Sequence, residues 1–492
     1  MKTLLLRNTR LVDGTGAPAR TADLCVQGER IMAIADTLTM AADETLDVGG
    51  LTVTPGFIDV HTHDDAMVLR DPSMLAKVSQ GVTTVITGNC GLSLVPLVSD
   101  APGSPLDLLH TTEFRFPQLN DYAHAMAQNP AAVNVAALIG HTTLRATVMA
   151  DLSRAASPGE TQAMAALLDQ ALSQGALGLS SGLFYQSAFA ADMTEMQALA
   201  RVVGQHGGVY VTHIRSEMDD ILTAMQEAAD TALAGPATWI MSHHKCAGPR
   251  NWGRTLETLA MLERLSQRQV VGTDVYPYSA GSTLLREDLV DGVIDVLITR
   301  SEPHPEMAGR HLAEIAQVWG MDQKQACRRL MPGGACYFQM HEDDVRRVLA
   351  HPMSMIGSDG LPHDERPHPR LWGAFARVLG HYCRDEQLFS LPQAIHKMTG
   401  LSAQRFGLVD RGVLRVGGYA DLVLLDPSRI QDKATYENPR LMCEGIERVM
   451  VNGQWSFAHQ QVQQPAAGQF LRRLKRPPLA ATRGSSHPLN MP

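Results

Sequence analysis

His61 and His63 stand two residues apart at the end of an apolar run over 57–63. Residues i and i+2 of a strand point to the same side, so the two imidazoles converge on one point. A lone H-x-H is a weak signal, and its weight comes from where other ligand-type residues fall. Cys90 closes a run over 82–90, His213 a run over 209–214, His243 a run over 238–243 and Asp359 a run over 355–359. A single cysteine is most often a small buried hydrophobe. Six ligand-type side chains at the ends of five runs predict a metal site. Imidazoles with a thiolate favour zinc over magnesium or calcium, which take oxygen ligands. Cys90, His213 and His243 make a three-ligand set that leaves a position open for water, as catalytic zinc does. His61 and His63, sharing the Cys90 thiolate, make a second and weaker one. Zinc lowers the pKa of its water from about 15.7 to about 7. Asp359 within reach would hold that water, take its proton and pass it to a leaving amine. The chemistry these residue types predict is hydrolysis by metal-activated water. A substrate that carries a carboxylate would need a cation, for which Lys245, two residues past His243, and Arg370 are the candidates; the structural alternatives are a solvated surface lysine and a salt bridge within the 366–370 loop.

These side chains need a scaffold that brings strand ends together. Eight short apolar runs (57–63, 82–90, 133–141, 176–180, 209–214, 238–243, 270–276 and 355–359) alternate with segments of helical periodicity. Ser157-Pro158-Gly159-Glu160 places an N-cap, a first-turn proline and a capping-box acid in order, and Gly175 sits where a C-terminal cap belongs. Thr194 and Gln197 open the next helix in the same way, closed by Gly207-Gly208. Eight alternations predict a (β/α)8 barrel in preference to a doubly wound open sheet, with the ligands on its C-terminal rim. Residues 3–54 and 413–455 read instead as short strands with Gly/Asp turns, neither with enough core to stand alone. The expected division is therefore 1–54 and 408–470 pairing into one small β-sandwich, with a barrel over 55–407 between them. Nearly eighty residues separate Tyr276 from Met355, with helical patterns at 306–319 and 342–350. An excursion of that length, centred on about 279–340, predicts a cover over the barrel mouth. A basic tail over 471–492 is expected to be disordered.

The ligand-bearing segments also resemble a known family. Thr54-Pro55-Gly56-Phe57-Ile58-Asp59-Val60-His61-Thr62-His63 is similar to the opening metal motif of the amidohydrolase superfamily, and Gly357-Ser358-Asp359-Gly360 to its strand-eight aspartate. Gly88-Asn89-Cys90-Gly91, Thr212-His213-Ile214-Arg215, Ser242-His243-His244-Lys245 and the stretch from Ser358 to Arg370 more closely resemble the N-acyl-D-amino-acid deacylases, or D-aminoacylases. The likeness runs from the first strand to about Leu471. It implies a barrel with a β-sandwich made from both termini. It also implies a tight zinc on Cys90, His213 and His243, a weaker site on His61, His63 and Cys90, and Asp359 as the acid–base. The substrate-carboxylate contacts it implies fall on Lys245, Tyr276, Ser282 and Arg370, with Tyr185 on the pocket wall. Two departures bear on the substrate. Tyr185-Gln186-Ser187 stands where many relatives have Tyr-Pro-Pro, and Leu289 stands where relatives that take acidic D-amino acids have arginine, although Arg286 is near. The resemblance thus implies N-acyl-D-amino acids with uncharged side chains.

Composition excludes other classes. The 492 residues carry 42 basic and 51 acidic groups, a formal charge of −9. Five of the basic groups lie in the last 22 residues, so the rest is more acidic still and nucleic acid is not the expected partner. No apolar run approaches the roughly 20 residues that span a bilayer. The first residues lack the features of a signal peptide, and seven cysteines follow no framework spacing, so a cytoplasmic location is expected. A cyclic amidohydrolase such as a hydantoinase or dihydroorotase would use a carboxylated lysine on strand four. Residues 175–182 contain none. An inactive scaffold would lack a ligand or the acid, and none is missing.

Overall fold

The computed structural model describes residues 2–109 and 114–473. Eight parallel strands follow in chain order: Phe57–Asp59, Val82–Thr87, Asn134–Ala137 (prolonged by Ile139–Gly140), Gly178–Gly182, Val209–His213, Thr238–Met241, Val271–Val275 and Ser354–Ile356. The first three form one sheet, and Ile139–Gly140 begins a second that runs through the eighth. A parallel bridge between Thr62 and Gly360 joins the ends of the first and last. Sequential order with bridged extremes is that of a TIM-type α/β barrel; a doubly wound sheet reverses order at a switch point.

Alternation along these strands divides the core. Ile58, Ile86, Ala136, Val209, Val211, Ile240 and Met355 share one cluster with Leu401 and Phe406. Their neighbours Val85, Val135, Tyr210, Trp239 and Ile356 join a second cluster with the apolar faces of the helices. Strands buried on both faces are what parallel α/β sheets require. The capping box at Ser157 forms: its side chain accepts from Glu160 N (3.3 Å) and the Glu160 carboxylate accepts from Ser157 N (2.8 Å). The helix expected to open at Thr194 begins at Met193 and is capped by Asp192, which accepts from Glu195 N at 2.9 Å, so Thr194 lies inside the helix rather than at its cap.

The two ends of the chain share one nine-stranded sheet. Its junction is the antiparallel pairing of Thr52–Pro55 with Leu422–Leu425, and its core includes Leu6, Leu24, Val53, Leu422, Leu424 and Met450. Between the seventh and eighth parallel strands, Gly281–Leu284, Gly333–Tyr337 and Val296–Ser301 form an antiparallel sheet. Helices Leu312–Trp319 and Gln323–Leu330 pack beside it around Ile298, Leu312, Ile315, Leu330 and Ala335. The helix expected over 306–319 starts only at Leu312, because Pro305 opens a separate single turn. The Glu342–Ala350 helix is where its pattern placed it. Among the described residues no helix is long and apolar enough to cross a membrane.

The last described residues return to the barrel. Val135 N donates to Gln469 O (2.9 Å), Leu471 N to Val135 O (2.7 Å) and Arg473 N to Gly175 O (2.9 Å). Arg472 reaches the carbonyl of Gln174, and Arg473 those of Gly207 and Phe406. These three carbonyls lie at or next to the C-terminal ends of three helices, where cations are favourable. Residues 471–473 of the basic tail are therefore packed; its remainder lies outside the described residues. Replacing both arginines by alanine is expected to cost about 1–2 kcal/mol and lower the melting temperature with kcat unchanged. An unaltered thermal unfolding curve would show that these contacts contribute nothing.

Candidate metal centre

The strands that end at Asp59, Thr87, Met241 and Ile356 stop short of their apolar runs, and His61, His63, Cys90, His243 and Asp359 sit in the residues just beyond them, while His213 is the last residue of its strand. Three of these residues, Cys90 (φ 54°), His243 (φ 34°) and Asp359 (φ 49°), adopt left-handed backbone. Non-glycine residues in that region cost about 1–3 kcal/mol and cluster at functional sites. The glycines beside Cys90 have a steric reason: a Cβ on Gly88 would lie 2.2 Å from Leu138 O, and one on Gly91 2.9 Å from Gly182 N. The first and last strands are locked by Asp59. Its Oδ1 accepts from His61 N (3.3 Å) and Ser358 N (2.8 Å), and the buried Lys77 ammonium donates to its Oδ2 (2.9 Å) and to Ser358 Oγ (2.7 Å).

Two ligand groups result, each with its donor atoms within 4.8 Å of one another: Cys90, His213 and His243, and His61, His63, Cys90 and Asp359. Cys90 Sγ lies 3.2 Å from His61 Nε2 and 3.5 Å from His243 Nε2, which is 3.1 Å from His213 Nδ1. Burial opposes a thiolate, yet the His61 and His243 imidazoles hold the Cys90 thiol well below its ordinary pKa. A buried thiolate facing imidazole nitrogens is a donor set that fits zinc. Asp359 Oδ1 lies 3.3 Å from His61 Nε2 and 3.2 Å from His63 Nε2, while its Oδ2 pairs with Arg370 Nη1 at 2.8 Å. Burial would raise this carboxyl, but Arg370 and His61 keep it well below the usual carboxylate range.

A cavity of about 90 Å³ opens on this cluster. It is lined by His63, Cys90, His213, His243 and Asp359, and by Tyr185, Lys245, Tyr276, Ser282 and Arg370, so only His61 of the expected site residues is set behind the wall. Tyr276 Oη and Ser282 Oγ are buried without hydrogen-bond partners. Phe184, Met218, Leu289 and Tyr337 supply an apolar side, with Phe184 stacked on His213 at 4.9 Å. Arg286 is not among the lining residues; it pairs with Asp288 at 2.6 Å and lies over the Phe184 ring. His141 is buried against Glu195 at 2.7 Å, and His244 faces Thr258 at 2.7 Å, opposite to His243.

Two carboxylates escaped the sequence reading. Asp274 Oδ1 accepts from His243 N (2.9 Å) and faces His61 Nδ1 (3.2 Å). Glu217 Oε1 lies 2.6 Å from Lys245 Nζ and 2.9 Å from His243 Nδ1. A charged residue inside the apolar run 270–276, and an acid four residues after a ligand, were the available signals.

Comparison with known proteins bears on the same residues. The Amidohydrolase family profile matches residues 44–266 and 314–457. The D-aminoacylase of Alcaligenes xylosoxydans xylosoxydans is 49% identical over 471 residues, covering 96% of this chain and 97% of that protein. A crystal structure of D-aminoacylase superposes with a TM-score of 0.94 at 49% identity, covering 96% of this chain and 99% of that one. An N-acyl-D-glutamate deacylase from Bordetella bronchiseptica, complexed with zinc and a phosphonate mimic of the tetrahedral intermediate, gives 0.92 at 43% identity, over 96% and 100% of the two chains. With a barrel, a thiolate–imidazole cluster and relatives matched along nearly its whole length, the chain belongs to the amidohydrolase family, in the group of N-acyl-D-amino-acid deacylases.

Proposed function

We propose that this protein hydrolyses the amide bond of N-acyl-D-amino acids, releasing a carboxylate and a free D-amino acid, with zinc held by Cys90, His213 and His243. The observation that carries the reading is that this thiolate–imidazole set, the Asp359 carboxylate and the cations Lys245 and Arg370 line one small cavity. Zinc bound there supplies Lewis acidity to the substrate carbonyl and to the attacking water. Asp359 accepts the water's proton and gives it to the leaving amine, which cannot depart as an anion. Arg370 keeps that carboxylate ionised and oriented. The substrate carboxylate falls to Lys245, Arg370 and the unpartnered hydroxyls of Tyr276 and Ser282, with Tyr185 closing the wall. His61 and His63 with Cys90 form the weaker second site. The apolar side around Leu289, with Arg286 paired to Asp288, favours uncharged side chains.

The same reading closes the parallel strands into one eight-stranded barrel over 55–407, folds the shared sheet of 1–54 and 408–470 into a β-sandwich, and sets the 279–340 insertion over the mouth. Ser282, Leu289 and Tyr337 of that insertion line the cavity. Seven unpaired cysteines fit a reducing cytoplasm. A steady-state screen of N-acetyl-D and N-acetyl-L amino acids, with zinc measured in parallel, tests the function. D-substrates with uncharged side chains should be processed and L-enantiomers much more poorly. Equal turnover of L-substrates would defeat the reading, and activity confined to N-acetyl-D-glutamate and -aspartate would defeat the specificity.

The two cations separate in mutants. Lys245→Met should chiefly raise KM, because it removes binding common to ground and transition states. Arg370→Met should lower kcat as well, because Asp359 loses its guanidinium. Unchanged kinetics in both would return these cations to a structural role.

A further inference from the structure

Glu217 is buried beside the three-ligand set and lines the same cavity. Its Oε1 is 2.9 Å from His243 Nδ1, and its Oε2 is 3.6 Å from His213 Nε2. In each imidazole the nitrogen facing Glu217 is the one turned away from the cluster, since His243 Nε2 and His213 Nδ1 face each other at 3.1 Å beside Cys90. One carboxylate thus backs both rings. Lys245 complicates the arrangement. Its ammonium is 2.6 Å from Glu217 Oε1, 3.1 Å from the His243 carbonyl and 2.8 Å from His243 Nδ1. An ammonium has donors only, so it bonds Nδ1 only when that nitrogen is bare and the ring proton sits on Nε2. A ring protonated on Nε2 has no lone pair to give a metal.

Resting on the site reading above, we propose that Glu217 is a positioning residue that keeps the His243 proton on Nδ1 against competition from Lys245. Its Oε1 accepts from Nδ1 and from the ammonium together. That leaves Nε2 free for the metal and holds Lys245 at the end of the cavity that takes the substrate carboxylate. Without the carboxylate, the ammonium becomes the strongest donor beside Nδ1 and pins the ring in the wrong tautomer.

The test measures zinc affinity by chelator competition, alongside kcat and KM, in the parent, Glu217→Gln, Glu217→Gln/Lys245→Met and Cys90→Ala. Glu217→Gln is expected to bind zinc 10–100-fold more weakly, the usual effect of losing a carboxylate behind a ligand histidine. At saturating zinc its KM should rise more than its kcat falls. Removing the competing ammonium in the double variant should recover at least threefold of the lost zinc affinity, which a purely structural role for Glu217 would not produce. The double variant leaves no unpaired buried ammonium. If the single variant does not fold, the double is compared with the parent: an affinity within about thirtyfold is expected, and a larger loss overturns the role. Zinc bound by Glu217→Gln within twofold of the parent, or no recovery in the double variant, overturns the role of Glu217. If Cys90→Ala nevertheless loses zinc, the site assignment stands without it; if Cys90→Ala keeps full zinc, the site reading falls and takes this inference with it.

Discussion

Asp359→Asn keeps its zinc and loses activity by about 10²–10⁴-fold, the range expected when a general acid–base is removed. The amide preserves the shape of the carboxylate, so the left-handed turn at φ 49° has the same side-chain volume to accommodate. Cys90, His213 and His243 are untouched, and metal content should stay near that of the parent. What is lost is the proton carrier between attacking water and departing amine, together with the charge that pairs Arg370 at 2.8 Å. The second ligand group includes Asp359, so occupancy of the weaker site should fall. Kinetics with metal analysis on the same preparation decide the matter, and a variant within a few-fold of the parent would remove Asp359 from the mechanism.

Cys90→Ala should lose zinc and activity together. Cys90 is the one residue common to both ligand groups, so its removal dismantles both at once. Two imidazoles without the soft anion hold zinc poorly. His61→Ala should differ, leaving about one zinc on Cys90, His213 and His243 while the other site weakens. If Cys90 were only a packing residue, alanine would open a small cavity and lower stability without changing stoichiometry. Full zinc in a variant that circular dichroism shows to be folded would end the thiolate assignment.

Legibility followed locality. The candidate ligands could be read because each closes an apolar run, and runs of that kind in series imply strands whose ends meet. The Ser157 capping box could be read because all its parts lie within four residues. Strand limits were read too long, since the ligand turns continue the apolar composition while leaving extended backbone at Cys90, His243 and Asp359. The antiparallel sheet of 281–337 was hidden because its pairings, such as Ser282 with Cys336, join distant residues of ordinary composition. The helix Gln323–Leu330 did carry a local signal, the Asp322–Gln325 capping box. Glu217 and Asp274 were invisible as partners because their roles exist only once strands five, six and seven stand side by side.

The order of synthesis meets a constraint in this topology. Thr52–Pro55 leaves the ribosome early, yet its partner Leu422–Leu425 follows some 370 residues later. At translation rates of about 5–20 residues per second that is a wait on the order of tens of seconds. The Asn134 side chain waits almost as long, for Asn452 and Gln469, which follow it by 318 and 335 residues. Throughout elongation the nascent chain therefore carries an unpaired β-edge and an unstrapped barrel, the kind of surface that recruits chaperones or aggregates. Shortening the chain before residue 468 would make that nascent condition permanent, and a bulky fusion placed close behind Arg473 would press on the last contacts to form.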